Sequence, residues 1–347
     1  MDFGIFDHLD RNDLPLGEFY EQRLRMIEAY DAGGFYSYHL AEHHFTPLGM
    51  APSPSVFLAS VAQRTKRLRF GSLVYALPLH HPLRVFEEIC MLDHLSNGRL
   101  DVGFGRGSVP FEVTFYGEDA ERRERVYRER LDIILQAFSA DTLTFTGEFD
   151  SFDNVPMELT PLQKPHPPIF YGAHSPESAE RAARKGLNII NNDSNDVTRA
   201  CVARFCEVWR DLYPDRAFPK MGAARFVVVA DTDEAALAIA RRAYPMWYRS
   251  FNHLFWRHNT TPGQFERPPT FDGHIERGTG IAGSPATVAA FLARQIAENG
   301  ANYLVCQFAF GDVTLRELAR SVDLFAAHVM PACRQAALLS APARALA

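Results

Sequence analysis

The sequence alternates between strand-like and helix-like segments with a regular period. In the first part of the chain, runs rich in aromatic and β-branched residues begin roughly thirty residues apart, which is the length of one βα unit. These runs span residues 2–7, 35–43, 68–75 and 99–107. They lack the strict polar alternation of a strand with one wet face, which is typical of a parallel sheet covered on both faces.

The same alternation resumes after residue 167. Four more strand-like runs follow, separated by helical patterns, and they span 168–173, 187–192, 224–230 and 301–310. Eight strands, each followed by a helix, favour an α/β fold of the closed (β/α)8 or TIM-barrel type over an open, doubly wound sheet. No G-x-G-x-x-G follows the first strand, which argues against a dinucleotide-binding domain. We therefore expect residues 1–335 to form a single barrel domain.

Three segments depart from the repeat. Residues 141–167 read as a β-excursion after the fourth helix, with turns at Gly147 and Asn154 and a proline-rich return. Residues 258–283 are polar and rich in Pro and Gly, which predicts a mobile, lid-like loop before the last βα unit. Residues 336–347 read as a frayed C-terminal tail.

Composition excludes several classes of function. The formal net charge is −6 and no Lys/Arg-rich run occurs, so we expect neither a nucleic-acid partner nor an anionic membrane surface. No apolar run approaches the roughly 18 residues of a membrane helix, and the start lacks the pattern of a secretory signal. The 5 cysteines are scattered without a CxxC pair. We therefore expect a cytoplasmic protein without disulfides or a zinc–thiolate site.

The ends of the predicted strands contain a possible phosphate site. Arg106 lies among glycines after the fourth strand, and Ser175 precedes Pro176 at the start of a helix. A helix start presents free N–H groups and a positive dipole end to an anion. Two plainer interpretations remain open: Arg106 pairs with a neighbouring acid, and Ser175 caps its helix and does nothing more.

Two adjacent histidines lie in the motif EHHF, residues 42–45. If both are on a strand, their side chains point to opposite faces, so His43 and His44 do not bind one metal. No HxH or HExxH spacing occurs either, and we predict no metal site. One ring is expected at the barrel mouth, where a histidine suits proton transfer or substrate contact.

Three stretches resemble the bacterial luciferase-like flavin monooxygenases. They are EHHF (42–45), ALPLHHPLRVFEEICMLDHLSNGRLDVGFGRG (76–107) and PIFYGAHSPESAERAARKGLNII (168–190). The similarity is clear over residues 1–190 and continues more weakly to 330. The resemblance implies a barrel that binds reduced FMN from a separate flavin reductase. It also implies that O2 reacts to form a flavin C4a-peroxide and that one oxygen enters a small-molecule substrate.

The resemblance also assigns individual residues. The position of the family's catalytic histidine is His44, and a non-proline cis peptide that supports the flavin ring falls at Leu73–Val74. The phosphate residues are Arg106, a second arginine for which Arg125 fits best (Arg122 lies within alignment error), the backbone N–H of His174, and the side chains of Ser175 and Ser178. Two positions depart from the expected pattern: Gly105 stands where luciferase itself carries a reactive cysteine, and His174 stands where an acid is expected before the phosphate serine. Both departures argue against light emission.

The substrate and the assembly are predicted less directly. Trp247, Phe251 and Phe255 have helical spacing, so they either pack in the core or line a pocket for an apolar substrate. The family implies a homodimer through helices near 53–67 and 81–96. Two alternatives stay open: a deazaflavin-dependent oxidoreductase that transfers hydride on the same barrel, and a non-catalytic flavin-binding subunit. A metal-dependent hydrolase lacks the necessary ligand spacing.

Overall fold

Eight parallel strands form the centre of the fold. The structure, a computed structural model, describes residues 1–344. The barrel strands, in chain order, are Asp2–Asp7, Ser37–Leu40, Arg69–Ser72, Val102–Gly105, Ile169–Gly172, Asn188–Asn191, Met221–Val229 and Tyr303–Gln307. Sequential strands pair in parallel through most of the sheet, and the first strand pairs with the last.

The seam between the third and fourth strands closes the barrel. The amide of Phe70 donates to the carbonyl of Arg99 at 3.1 Å, and the amide of Asp101 donates to the carbonyl of Phe70 at 2.8 Å. Gly71 is required here, because a Cβ at this position would lie 1.9 Å from the backbone oxygen of Asp101. The predicted (β/α)8 barrel is confirmed.

Helices surround the sheet and follow the strands. The longer helices are Leu16–Ala32, Pro54–Arg64, Pro82–Leu95, Arg123–Ala137, Pro176–Arg184, Asn195–Leu212, Asp233–Arg257, Pro285–Asn299, Leu315–Leu324 and Met330–Arg344. Short helices span Pro110–Phe115 and Phe271–Glu276. Their starts follow from the sequence, since Ser or Thr side chains cap six of these helices, at Ser175, Ser194, Thr232, Thr270, Ser284 and Thr314. Of the described helices, none is long and apolar enough to cross a membrane.

The segment 258–283 differs from the irregular loop that the sequence predicts. It contains a turn of 3-10 helix at Gly263–Phe265, the helix Phe271–Glu276 and the strand Gly280–Gly283. That strand pairs in parallel with the end of the seventh barrel strand. The prediction missed the helix because Thr270, which caps it, stands between prolines and glycines that are typical of turns. The segment is therefore anchored to the barrel at its end.

The other two departures from the repeat are also visible. Within 141–167, the strands Thr142–Thr146 and Ser151–Pro156 form an antiparallel hairpin. The predicted tail at 336–347 is wrong for its described part, because the helix Met330–Arg344 runs through it. Its alanines and leucines favour helix, and this propensity outweighs the terminal position on which the prediction rested. Residues 345–347 lie outside the described residues.

Candidate active site

Two connected cavities open where the barrel strands end at their C-terminal side. The central cavity has a volume of about 200 Å³ and reaches from His8 and His43 to Leu73 and Val74. The outer cavity, of about 570 Å³, contains Arg106. Six residues line both cavities: Val74, Gly107, Ser108, Gly172, His174 and Phe265. One elongated ligand can therefore occupy both spaces at once.

A buried carboxylate, Glu42, holds the loops around the central cavity. Its Oε1 accepts hydrogen bonds from Nε2 of His44 at 2.8 Å and of His80 at 2.7 Å, and its Oε2 accepts from the amide of Ala76 at 2.9 Å. Burial by itself would raise the pKa of Glu42, but the hydrogen bonds from the two histidines outweigh burial and lower the pKa below 4.5. Glu42 therefore stays ionised at neutral pH and ties the segment after the second strand to the segment after the third.

His44 is held away from the cavity. Its Nε2 is bonded to Glu42, and its Nδ1 lies 2.9 Å from the hydroxyl of Tyr116, so both ring nitrogens have partners. The sequence placed both histidines on a strand, but the second strand ends at Leu40, and residues 42–44 follow it. The expectation that strand geometry decides which ring faces the mouth is therefore wrong.

His43, rather than His44, lines the central cavity. Its Nδ1 lies 3.0 Å from Oε1 of Glu112, and its ring stacks on His8 with 5.7 Å between centroids. Burial would lower the pKa of His43, but the charge and hydrogen bond of Glu112 outweigh burial and raise the pKa above 6.5. Burial, together with His43 and Arg267, holds the pKa of His8 well below 6.5. The pKa of His43 is therefore shifted upward and that of His8 downward, so His43 is the more readily protonated of the two stacked rings.

The Leu73–Val74 peptide bond is cis, as the resemblance implied. Leu73 and Val74 both line the central cavity. Gly105 lies directly behind Val74, because a Cβ at Gly105 would come within 2.4 Å of Cγ2 of Val74. This packing gives a physical reason for glycine at the position where luciferase itself carries a reactive cysteine.

The outer cavity brings together three of the residues predicted to bind phosphate, Arg106, Ser175 and Ser178. Ser175 caps the helix Pro176–Arg184, since its Oγ accepts from the amide of Ser178 at 3.3 Å while Oγ of Ser178 accepts from the amide of Ser175 at 2.9 Å. Arg106 lies 3.3 Å from Oε2 of Glu124. The ion pair of Arg106 and the helix cap of Ser175 are thus both observed. Both residues nevertheless line the outer cavity.

Arg125 does not face the outer cavity, contrary to the prediction. Its guanidinium pairs with Glu148, lies over the ring of Phe149 and is 58% exposed. Arg122, the other option, lies over the same ring at 4.7 Å. One residue along a helix turns the side chain by roughly 100°, so an alignment error of one position changes which arginine faces the site.

Two other arginines line the outer cavity instead of Arg125, and the sequence analysis did not identify them. Arg128 is one turn beyond Glu124 and donates to it at 2.8 Å. Arg181 lies on the helix that Ser175 caps, and its hydrogen bond to Tyr171 raises the pKa of its guanidinium. The spacing of Ser175, Ser178 and Arg181 places all three on one helix face, which is a signal the sequence does contain.

The remaining predicted residues lie around the same cavities. His174 lines both, and its Nδ1 lies 2.8 Å from Oδ2 of Asp193. Trp247 and Phe251 stack at 5.3 Å, and Phe251 lines the central cavity, whereas Phe255 packs with Val109 and Leu254 in a small apolar cluster. Over residues 1–344, no group of three or more His, Cys, Asp and Glu side chains is arranged to hold a metal ion.

Comparison with known proteins identifies the family. The family profile described as luciferase-like monooxygenase matches residues 1–303. This chain belongs to the luciferase-like monooxygenase family. A luciferase-like monooxygenase is an oxidoreductase, so the cavities described above are those of an enzyme.

Individual relatives agree with this assignment. The chain is 43% identical to the uncharacterized protein y4wF of Sinorhizobium fredii over 90% of this chain and 92% of that protein. It is 29% identical to the oxygenase component of the flavin-dependent trigonelline monooxygenase of Acinetobacter baylyi, over 74% of this chain and 72% of that protein. Among solved structures, the monooxygenase RslO1 of Streptomyces bottropensis has a TM-score of 0.85 at 26% identity and covers 95% of this chain and 99% of its own.

We predict that Glu42→Gln destabilises the protein by about 3 kcal/mol at pH 7, because buried His44 and half-buried His80 lose their charged partner. The pKa of Glu42 is lower in the folded chain, so its contribution is present above the unfolded value near 4.5 and is lost as the pH falls through the folded pKa. Urea unfolding of both proteins at several pH values measures this.

Glu121→Gln is the matched control, since Glu121 is exposed. The difference in unfolding free energy between wild type and Glu42→Gln should shrink in acid, and Glu121→Gln should show no comparable change. Equal stability of wild type and Glu42→Gln at pH 7 would contradict the role given to Glu42.

Proposed function

We propose that this chain is the oxygenase component of a two-component flavin monooxygenase. It binds reduced FMN supplied by a separate reductase and uses O2 to place one oxygen atom on a small organic substrate. The observation that carries this proposal is the continuity of the two cavities. The outer cavity is lined by arginines and suits an anion, the central cavity is lined by His43, and the two share six lining residues. The flavin-dependent oxygenase component of A. baylyi supports a flavin in this role.

The outer cavity fits a phosphate group. Arg106, Arg128 and Arg181 line it, and Glu124 is the carboxylate among its lining residues. Nearby, Nε of Arg123 is buried without a hydrogen-bond partner, and the charge of Arg106 adds to burial in lowering the pKa of Arg123. An excess of cationic donors over acceptors is what a bound phosphate corrects. We therefore assign phosphate binding to Arg106, Ser175, Ser178 and the N–H of His174, with Arg181 and Arg128 in place of Arg125.

The flavin ring then lies against Leu73 and Val74 in the central cavity, where bound reduced flavin would supply the two electrons that activate O2. His43 is the group best placed to hold or move a proton there, because it lines the cavity and its pKa lies above 6.5. His44 acts through Glu42 and Tyr116 as a positioning residue. This assignment replaces His44 with His43 as the proton-handling group.

The segment 258–283 contributes to the exclusion of water. Phe265 lines both cavities and Arg267 lines the central one, so this segment covers the site from the solvent side. The segment 258–283 therefore acts as a cover over the two cavities.

We further propose that the chain forms a homodimer through the helices Pro54–Arg64 and Pro82–Leu95. These helices expose Val56 (72%), Met91 (54%) and Leu95 (53%), and large apolar side chains grouped on two neighbouring helices are typical of an interface. Sedimentation equilibrium of the wild type gives the mass, and a monomer at micromolar concentration would contradict this assembly.

For the cofactor, we predict that Arg106→Ala weakens binding of reduced FMN by about 10- to 100-fold, because a charge-assisted contact to phosphate is lost. Anaerobic fluorescence and absorbance titrations measure this, with oxidised FMN and a deazaflavin in parallel. Arg125→Ala is the matched control and should bind as the wild type does.

The outcomes of this titration separate the open alternatives. Loss of binding in Arg125→Ala with full binding in Arg106→Ala would contradict the assigned phosphate site. Binding of the deazaflavin alone would assign the chain to hydride transfer, and binding of neither cofactor by the folded protein would overturn the proposal.

For the proton-handling group, we predict that His43→Gln removes the pH dependence of flavin reoxidation above pH 6.5, a change of roughly 10-fold or more between pH 6 and 8. His44→Gln should keep that dependence, because His43 remains. Stopped-flow mixing of anaerobic enzyme and reduced FMN with O2 measures the rate. The opposite pattern, with the dependence kept in His43→Gln and lost in His44→Gln, would return the role to His44.

A further inference from the structure

A small pocket extends the central cavity towards the inside of the barrel. This inner pocket has a volume of about 40 Å³ and shares Phe6, His8, Phe251 and Arg267 with the central cavity. A water needs about 10–15 Å³ of such space, so the inner pocket holds a group of about three heavy atoms. That is the size of a carboxylate.

One cation of the inner pocket comes from the covering segment. Arg267 is partly buried, and its guanidinium lies over the ring of Phe251 at 5.8 Å from the centroid. Its positive charge reaches His8 and His274 and contributes to the lowered pKa of both rings. Within residues 1–344, Arg267 forms no ion pair with a carboxylate.

A second cation comes from the seventh barrel strand. Arg225 is 1% exposed, and its Nε donates to Gln295 at 2.8 Å while Nη1 donates to the carbonyl of Ala224 at 2.7 Å. Its Nη2 is buried without a hydrogen-bond partner. Burial lowers the pKa of Arg225 to about 10, and the charge of Asp193 offsets this only in part.

Two residues that line the inner pocket, Arg225 and Trp247, each carry a buried group without a hydrogen-bond partner. Nη2 of Arg225 and Nε1 of Trp247 are both buried without a partner, and both are donors. Asp193 is the carboxylate whose charge reaches Arg225 and Arg267, but its Oδ2 is bonded to His174. His8 and His274 are neutral near pH 7, because burial and Arg267 hold both pKa values low, that of His274 at about 3. The pocket is therefore cationic and rich in donors.

We propose that the inner pocket binds the carboxylate of the organic substrate, so that the enzyme oxygenates a small carboxylic acid. A carboxylate only accepts hydrogen bonds, and the residues that line the inner pocket include two arginines, Arg225 and Arg267, and no Asp or Glu that would pair with them. The rest of the substrate then lies in the central cavity near His43. This inference rests on the proposed function and names the substrate class of that site. It replaces the expectation of a wholly apolar substrate.

The test measures ligand affinity by calorimetry with the full chain, anaerobically and with saturating FMN. The probes are benzoate, nicotinate and hexanoate, each compared with its neutral amide at pH 7, where the acids are ionised. We expect at least one acid to bind 10-fold or more tightly than its amide. Arg267→Gln should weaken binding of that acid by about 10- to 100-fold and leave binding of the amide unchanged.

Two further variants keep the test decisive. Arg267→Lys keeps the charge and should recover part of the affinity for the acid, whereas Arg257→Gln, at an exposed arginine of the neighbouring helix, should bind as the wild type does. Arg225→Gln is avoided as the main variant, because this buried side chain also anchors Gln295.

The results separate this inference from the proposed function. Equal affinity for acids and amides, or acid binding unchanged in Arg267→Gln, overturns the carboxylate pocket while normal FMN binding leaves the proposed function standing. A loss of FMN affinity in Arg267→Gln with acid binding unchanged assigns Arg267 to the flavin and likewise overturns it. A wild type that does not bind FMN overturns the proposed function, and the acid and amide titrations, repeated without FMN, still decide the pocket.

Discussion

The site depends on the buried carboxylate of Glu42. It receives two histidine side chains and one backbone amide from two different loops, and it is nearly inaccessible to solvent. An unpaired buried charge is costly, so this carboxylate fixes its three donors relative to one another. His44 is thereby turned away from the cavity, and the chain that follows the Leu73–Val74 bond is held at Ala76. The neighbouring side chain, His43, then faces the cavity with Glu112 behind it. Several features of the active site thus follow from one ionised group placed after the second strand.

Charge is distributed unevenly along the connected cavities. Arginines concentrate at the outer end, around Ser175, and at the inner end, around Trp247. Between these ends lie mostly small, apolar and amide side chains, together with Glu42 and the two stacked histidines. This distribution suits two ligands that enter from opposite ends, each with its anionic group bound at one of the two cationic ends. A flavin phosphate entering at the outer end and a substrate carboxylate at the inner end would place their uncharged parts together, beside His43.

The fold was largely predictable because its signal is periodic. A barrel of parallel strands requires apolar runs at regular intervals, and the chain repeats them eight times. Arg106 and Ser175 could be placed at one edge for a related reason, since each lies close after the end of a strand and the C-terminal ends of parallel strands meet there. Ser178 came from the family resemblance alone. Gly71 shows what a periodic pattern leaves out. A side chain is excluded at Gly71 only because the closed barrel brings the backbone of Asp101 against it.

The errors lie where direction or distant contacts decide. His43 rather than His44 lines the central cavity because the strand ends at Leu40, and the direction of a side chain beyond a strand end does not follow from alternation. Arg125 was preferred over Arg122, and Arg128 and Arg181 were not considered, because one position along a helix changes the face on which a side chain lies. Arg225 and Arg267 were missed altogether, since the segment that carries Arg267 meets the barrel interior only through tertiary packing.

The measurement that tests the central claim most directly is the crystal structure of the protein grown with FMN. The account predicts phosphate density among Arg106, Ser175, Ser178 and Arg181, with the flavin ring against Leu73 and Val74 and the ring of His43 facing it. FMN bound elsewhere, or a phosphate held by Arg125 outside the outer cavity, would contradict it.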